Sequence, residues 1–152
     1  MNDTNKNKAP NSGLYGPQVL AYISNNYDRN LVLEDVASYF HLNKCYFCSV
    51  LKKELGKTFS QVVNEIRIEN SKPLLEEGRL STLEVALTVG FNNQNYFNMT
   101  FKKITGMTPL QYRRIANQKI KKVKAQALTF FINLLIIHEV HVHLLQAFQI
   151  LK

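Results

Sequence analysis

The sequence predicts an all-α protein: two helix-turn-helix units joined by one long connector helix. Three observations carry that prediction. A pattern running from Tyr46 to Phe59 returns from Tyr96 to Pro109, with Tyr-Phe, an apolar residue four past the Phe, Lys-Lys, Gly and Thr in register. Repetition on this scale marks one supersecondary unit used twice. Around both copies the apolar residues recur at helical spacing, and Asn, Ser, Thr and Gly stand where helices start and stop.

The chain has 152 residues, enough for one ordinary domain or a small domain with tails, and its 45% apolar content can fill a core of helix faces. A net charge of +8 favours an anionic partner, nucleic acid or a membrane surface. The basic residues are unevenly spread. No acid lies between Val85 and His138, a stretch that holds Lys102, Lys103, Arg113, Arg114, Lys119, Lys121, Lys122 and Lys124. Cys45 and Cys48 have C-x-x-C spacing but no second pair follows, so neither a disulfide framework nor a metal site is predicted. They read as small side chains on an exposed helix face. No nucleophile–base pair, phosphate loop or paired carboxylates stands out, so neither an enzyme nor a cofactor is predicted. Met1 to Pro17 is polar and unlike a signal peptide, which fits a reducing cytoplasm.

In chain order, residues 1–13 lack periodicity and are expected to be disordered. Gly16-Pro17 opens the first helix, with Pro17 in the first turn where its missing N–H is harmless, and Val19, Leu20, Ile23 and Tyr27 form its stripe. The first helix-turn-helix occupies 33–56: a helix from Leu33 to Phe40, a turn at His41-Leu42, Asn43 as N-cap, and a reading helix from Lys44 to Leu55 closed by Gly56. That helix buries Phe47, Val50 or Leu51, and Leu55. It turns Lys44, Cys45, Cys48, Ser49, Lys52 and Lys53 outward.

The connector covers 58–77, capped by Thr58, with Phe59, Val62, Val63, Ile66, Leu74 and Leu75 as its apolar residues and Gly78 at its end. A run of about 20 residues spans roughly 30 Å, close to the roughly 34 Å of one duplex turn. Two heads on such a rod can stand near successive major grooves. Pro73 either kinks the helix or restarts it, since an interior proline costs about 3 kcal/mol. The second helix-turn-helix occupies 81–106, with Ser81 as cap, a first helix through Leu83, Val85, Ala86 and Val89, and Gly90 in a turn one residue longer than the first. Its reading helix, from about Asn93 to Thr105, buries Phe97, Phe101 and Ile104 and presents Gln94, Asn95, Asn98, Met99, Lys102 and Lys103. Thr108-Pro109 starts a short last helix to about Arg114, with Leu110 and Tyr112 placed to seal the second head.

Ala86, Gly90-Phe91, Tyr96-Phe97, Phe101-Lys102-Lys103, Gly106-Met107-Thr108-Pro109 and Tyr112-Arg113, with Arg67-Ile68-Glu69 in the connector, together resemble the C-terminal signature of the AraC/XylS family of transcriptional regulators. The resemblance runs from Val19 to Arg114, inside a domain drawn at 14–115. It implies seven helices in two homeodomain-like three-helix subdomains and a rigid connector. It also implies sequence-specific binding of double-stranded promoter DNA, usually to activate transcription by engaging RNA polymerase.

Carried over by position, base reading falls to Cys45, Cys48 and Ser49 on the first helix and to Gln94, Asn95, Asn98 and Met99 on the second. Phosphate contacts fall to Lys44, Lys52, Lys53, Lys102, Lys103 and Arg113. Many relatives have Arg where this chain has Ser49 and Met99, and Arg is the commonest reader of guanine. Gln and Asn suit adenine, while Met and Cys reach only apolar edges such as the thymine methyl. The expected site therefore leans toward A·T, with weak direct readout by the first head. Relatives usually carry a sensing, oligomerising or receiver domain in front. The short segment here reads as a stand-alone regulator, a detached output domain or a fragment.

Beyond Ala116 the resemblance ends, and Lys119, Lys121, Lys122 and Lys124 read as a basic link. Ala127 to Ile137 is strongly apolar, but spanning a bilayer takes about 20 residues, so no membrane span is predicted. Phe130, Leu134, Ile137, Leu144, Phe148 and Leu151 share a helical stripe broken by His141. That stripe suits self-association through 127–151, folding back onto the domain, or an accidental extension. His138, His141 and His143 share no single helix face, so no metal is predicted. The rival function is an interaction module whose tail, 116–152, binds a protein or a membrane surface while the basic heads are incidental.

Overall fold

Seven helices and no strands make up the described part of the computed structural model, which covers the backbone of residues 15–150 and the side chains of residues 15–138. The segment 1–13 expected to be disordered lies outside the described residues, as do the side chains of His141, His143, Leu144, Phe148 and Leu151. The helices are α1 (Tyr15–Ser24), α2 (Leu33–Tyr39), α3 (Lys44–Leu55), α4 (Phe59–Glu77), α5 (Thr82–Thr88), α6 (Gln94–Thr105) and α7 (Pro109–Ile150). Two units emerge, one ending at Leu110 and one starting at Gln111.

In the first head, α1, α2 and the start of α4 close over α3. Its core includes Val19, Ile23, Val36, Ala37, Phe47, Val50, Leu51, Phe59, Val62 and Val63. Phe40, Phe47 and Phe59 run through it ring to ring, with centroids 6.3 and 6.1 Å apart. A carboxylate ties its ends together: Gly16 N–H donates to Glu54 Oε2 at 2.6 Å, so an acid from the last turn of α3 satisfies a donor at the start of α1.

Side-chain caps and C-terminal glycines mark several of the other helix boundaries. Asn43 accepts from the Tyr46 N–H, and Gly56 closes α3 at φ 67°. Thr58 and Gln61 form a capping box at α4, and Ser81 and Glu84 form another at α5. In the second head the buried residues are Val85, Ala86, Val89, Phe91, Phe97 and Phe101, against the later half of α4.

The connector differs from the expected stripe. Ile66 and Leu74 are only half-buried, whereas Ile68 and Ser71 are fully buried with Leu75. The reason is that α4 serves two cores in succession. Phe59, Val62, Val63 and Ile66 face the first head, while Ile68, Ser71 and Leu75 project from about half a turn around the helix. A single stripe cannot satisfy both. Pro73 is exposed and neither restarts nor ends the helix, which continues to the Gly78 N–H bonded to Leu74 O at 3.3 Å.

Three further expectations are corrected. Ile104 is 37% exposed, and Thr100 takes its place in the core at 8%. The short last helix and basic link are one unbroken helix, α7, of 42 residues. Between Leu110 and Ile150 there is no Gly or Pro to stop it, and polarity alone does not end a helix. Leu110 is half-exposed, and it is Pro109 that is buried. Among the described residues no helix is long and apolar enough to cross a membrane.

Candidate nucleic-acid interface

The two reading helices turn largely matching positions to solvent. On α3, Phe47, Val50 and Leu51 are buried and Lys44, Cys45, Cys48, Ser49, Lys52 and Lys53 are exposed. On α6, Phe97, Thr100 and Phe101 are buried and Asn95, Met99, Lys102 and Lys103 are exposed. Val50 and Leu51 are thus both core residues. Cys45 and Cys48 are free thiols. The lysine pairs fall in the last turn of each helix, where positive charge complements the carbonyl end of the helix dipole.

Individual side chains have distinct commitments. Ser49 donates its hydroxyl to the Cys45 carbonyl at 2.9 Å, which leaves only its lone pairs for an outside donor. Lys44 is held by the Glu34 carboxylate of α2. That hydrogen bond keeps the Glu34 carboxyl below the usual carboxylate range and the Lys44 ammonium above its ordinary value. Lys52 donates to Gly56 O at 3.2 Å. Asn93 caps α6 by accepting from the Asn95 and Tyr96 N–H groups, at 2.8 and 3.1 Å.

Gln94 and Asn98, expected to face outward, are half-buried. Both lie on the edge of the exposed face nearest the core, and Asn98 Oδ1 is buried without a partner. Met99 is 71% exposed and flanks the cleft between α6 and the first half of α4, lined also by Gln61, Glu65, Tyr96 and Lys103. Arg113, on α7 in the second unit, is half-buried.

Sequence reasoning missed the residues that hold α6 against the connector. Asn64 Nδ2 donates to Tyr96 Oη at 2.9 Å, fixing the exposed tyrosine beside Met99. Arg67 donates from Nε to Tyr27 O and from Nη2 to Arg29 O, each at 2.8 Å, and its guanidinium carbon lies 5.5 Å from the centre of the Phe91 ring. Burial lowers its pKa from the usual arginine value, opposed by the fields of Tyr96 and Asp28. Recurrence of Tyr96 opposite Tyr46 was a usable signal for the first contact; Arg67 stood out only as part of the family signature, which does not name its partners.

Paired helices of this kind, each with a buried aromatic underside and a polar face that ends in two lysines, define a helix-turn-helix DNA-binding protein. Comparison narrows the class. A family described as "Helix-turn-helix domain" matches residues 36–115. The melibiose operon regulatory protein of Escherichia coli is 35% identical over 117 residues, 76% of this chain and 39% of that protein. The C-terminal domain of AraT, a response regulator from Geobacillus stearothermophilus, is 33% identical with a TM-score of 0.64, over 69% of this chain and 88% of that one. The DNA-binding domain of AdpA, a global transcriptional factor solved with a target DNA, shares the fold at 21% identity and a TM-score of 0.64, over 68% and 92% of the two chains. The chain belongs to the AraC family of DNA-binding transcriptional regulators. It spans about two fifths of the melibiose regulator, 39% of its length.

Proposed function

We propose that the chain is a sequence-specific regulator, acting in the cytoplasm, that sets α3 and α6 into two successive major grooves of promoter DNA. The observation that carries this reading is the match between the two outer faces, four of whose five paired positions are exposed on both helices. Cys45 and Asn95, Cys48 and Asn98, Ser49 and Met99, Lys52 and Lys102, and Lys53 and Lys103 hold matching places on helices of 12 residues each. At 1.5 Å per residue the 19-residue connector is about 28 Å long, comparable with one duplex turn.

Base reading falls to Cys45, Cys48, Ser49, Gln94, Asn95, Asn98 and Met99, and phosphate contact to Lys44, Lys52, Lys53, Lys102, Lys103 and Arg113. Lys44 reaches a phosphate by sharing or exchanging its Glu34 partner, at little cost because both groups are exposed. Family resemblance supports activation through RNA polymerase as the outcome of binding. The exposed apolar residues of α7, among them Phe130, Phe131, Leu134 and Ile137, support self-association through 127–151, which sedimentation of the chain over a range of concentrations tests.

Selection from a random duplex library with the purified chain tests the DNA reading. Enrichment of a bipartite, A·T-leaning sequence supports it. Binding that stays uniform across sequences and disappears with salt shows a basic surface and no reader.

A further inference from the structure

We infer that Arg67 is a positioning residue that fixes the angle between the two heads, and with it the spacing of half-sites the chain accepts. This rests on the two-headed reading above for its consequence on DNA, though not for the clamp itself. Three segments distant in sequence meet at one guanidinium: the α1–α2 loop of the first head, the middle of the connector, and the turn before α6. Nε and Nη2 each donate to a carbonyl of the first head, Tyr27 O and Arg29 O, at 2.8 Å. The carbon of the same group lies over the ring of Phe91, which is 2% exposed in the core of the second head.

Only arginine does both at once. Its planar fork matches two acceptors while the plane stacks on a ring, whereas a lysine ammonium is a single point charge on a flexible stem. The neighbouring turn is cut to fit. A Cβ on Gly90 would stand 2.6 Å from Tyr27 O and 3.0 Å from Arg67 Nε and Nη2, so the absence of a side chain there lets the two heads approach. Because α4 sends its two apolar stripes in different directions, its own packing leaves the heads joined through a single rod. The Arg67 cluster adds a direct bridge between them off the rod's axis, which is where resistance to bending is greatest.

Spin labels at Ser38→Cys on α2 and Thr88→Cys on α5, in the full chain with Cys45→Ser and Cys48→Ser, measure the separation of the heads without DNA. The labelled chain with Arg67 should give one narrow distance distribution. Arg67→Met, which keeps the stem and loses the fork, should broaden it at least about twofold while the helical circular dichroism is retained. If Arg67→Met unfolds, Phe91→Leu is measured in the same way, with the same expectation. An equally narrow distribution in the folded variant overturns the clamp.

A second arm uses the duplex selected by the unmodified chain, and the same duplex with two base pairs inserted between its half-sites. Arg67→Met should weaken binding to the first on the order of tenfold and shrink the difference between the two. Affinity for a mixed-sequence duplex should change less than about twofold. Broadened distances without a bipartite site would leave the clamp standing and remove the two-groove reading. Unchanged distances with a bipartite site would do the reverse.

Discussion

His41 and Gly90 hold the same place in the two helix-turn-helix turns. Both have positive φ, 56° and 89°, and each is followed by a residue whose N–H returns to an alanine carbonyl at 2.9 Å: Leu42 to Ala37 and Phe91 to Ala86. The left-handed conformation costs an L-residue about 1–2 kcal/mol, partly offset when glycine is introduced because glycine loses more entropy on folding. His41→Gly should therefore change stability by less than about 1 kcal/mol, with stabilisation the expected sign. Gly90→Ala should destabilise by at least about 2 kcal/mol, because strain is joined by collision with Tyr27 O. Urea denaturation of the two variants side by side checks the contrast; equal effects would show that the turns are not equivalent.

The lysine pairs make a prediction that sequence preference does not enter. Replacing Lys52 and Lys102 with Ala should weaken binding to all duplexes alike. The slope of log affinity against log salt should fall by about 0.9 for each phosphate that is no longer neutralised. Fluorescence anisotropy on a selected and a scrambled duplex measures both. A loss confined to the selected sequence would move these residues from phosphate to base contact.

Met99 is the most exposed large apolar residue of α6, at 71%. Met99→Arg should add a guanine preference to the second head, worth about 1–3 kcal/mol at one base pair. Repeating the selection with the variant checks this. An unchanged base preference would place Met99 off the groove floor.

Glu84 supplies a pH test of α5. It accepts from Ser81 N–H at 2.7 Å, and that backbone hydrogen bond holds its carboxyl below the ordinary value of 4.5. A depressed folded pKa gives stability that is present above the unfolded value and lost as pH falls through the folded one. The stability difference between the unmodified chain and Glu84→Gln should thus be constant at neutral pH and shrink below about pH 4.5. Thermal unfolding of both proteins across that range reads it, and a difference independent of pH would remove the cap's electrostatic role.

How far the sequence revealed the fold depended on whether signals were local. The limits of α3, Lys44–Leu55, were legible because Asn43 and Gly56 punctuate them, and its buried Phe47 and exposed Cys45 and Ser49 followed from helical period alone. Ile68 and Ser71 were not legible, since their burial depends on which head each half of α4 meets. Helix α7 was cut short at Arg114 because a lysine-rich stretch looks like a link, although it holds no residue that ends a helix. Gln94 and Asn98 sit on the margin of their face, where period does not decide between solvent and core. Arg67 was singled out only through the resemblance, and its bridging contacts were not legible, because two of its partners are main-chain carbonyls, which any sequence supplies.

The two-groove reading is tested most directly by phosphate-ethylation interference on the selected duplex, with the full chain bound, because phosphate contacts report position whatever the base sequence. Two clusters of interference about 10 base pairs apart, on one face of the duplex, are predicted. Asn98→Ala should relax preference only in the cluster read by α6. A single cluster, or two on opposite faces of the duplex, would contradict the account.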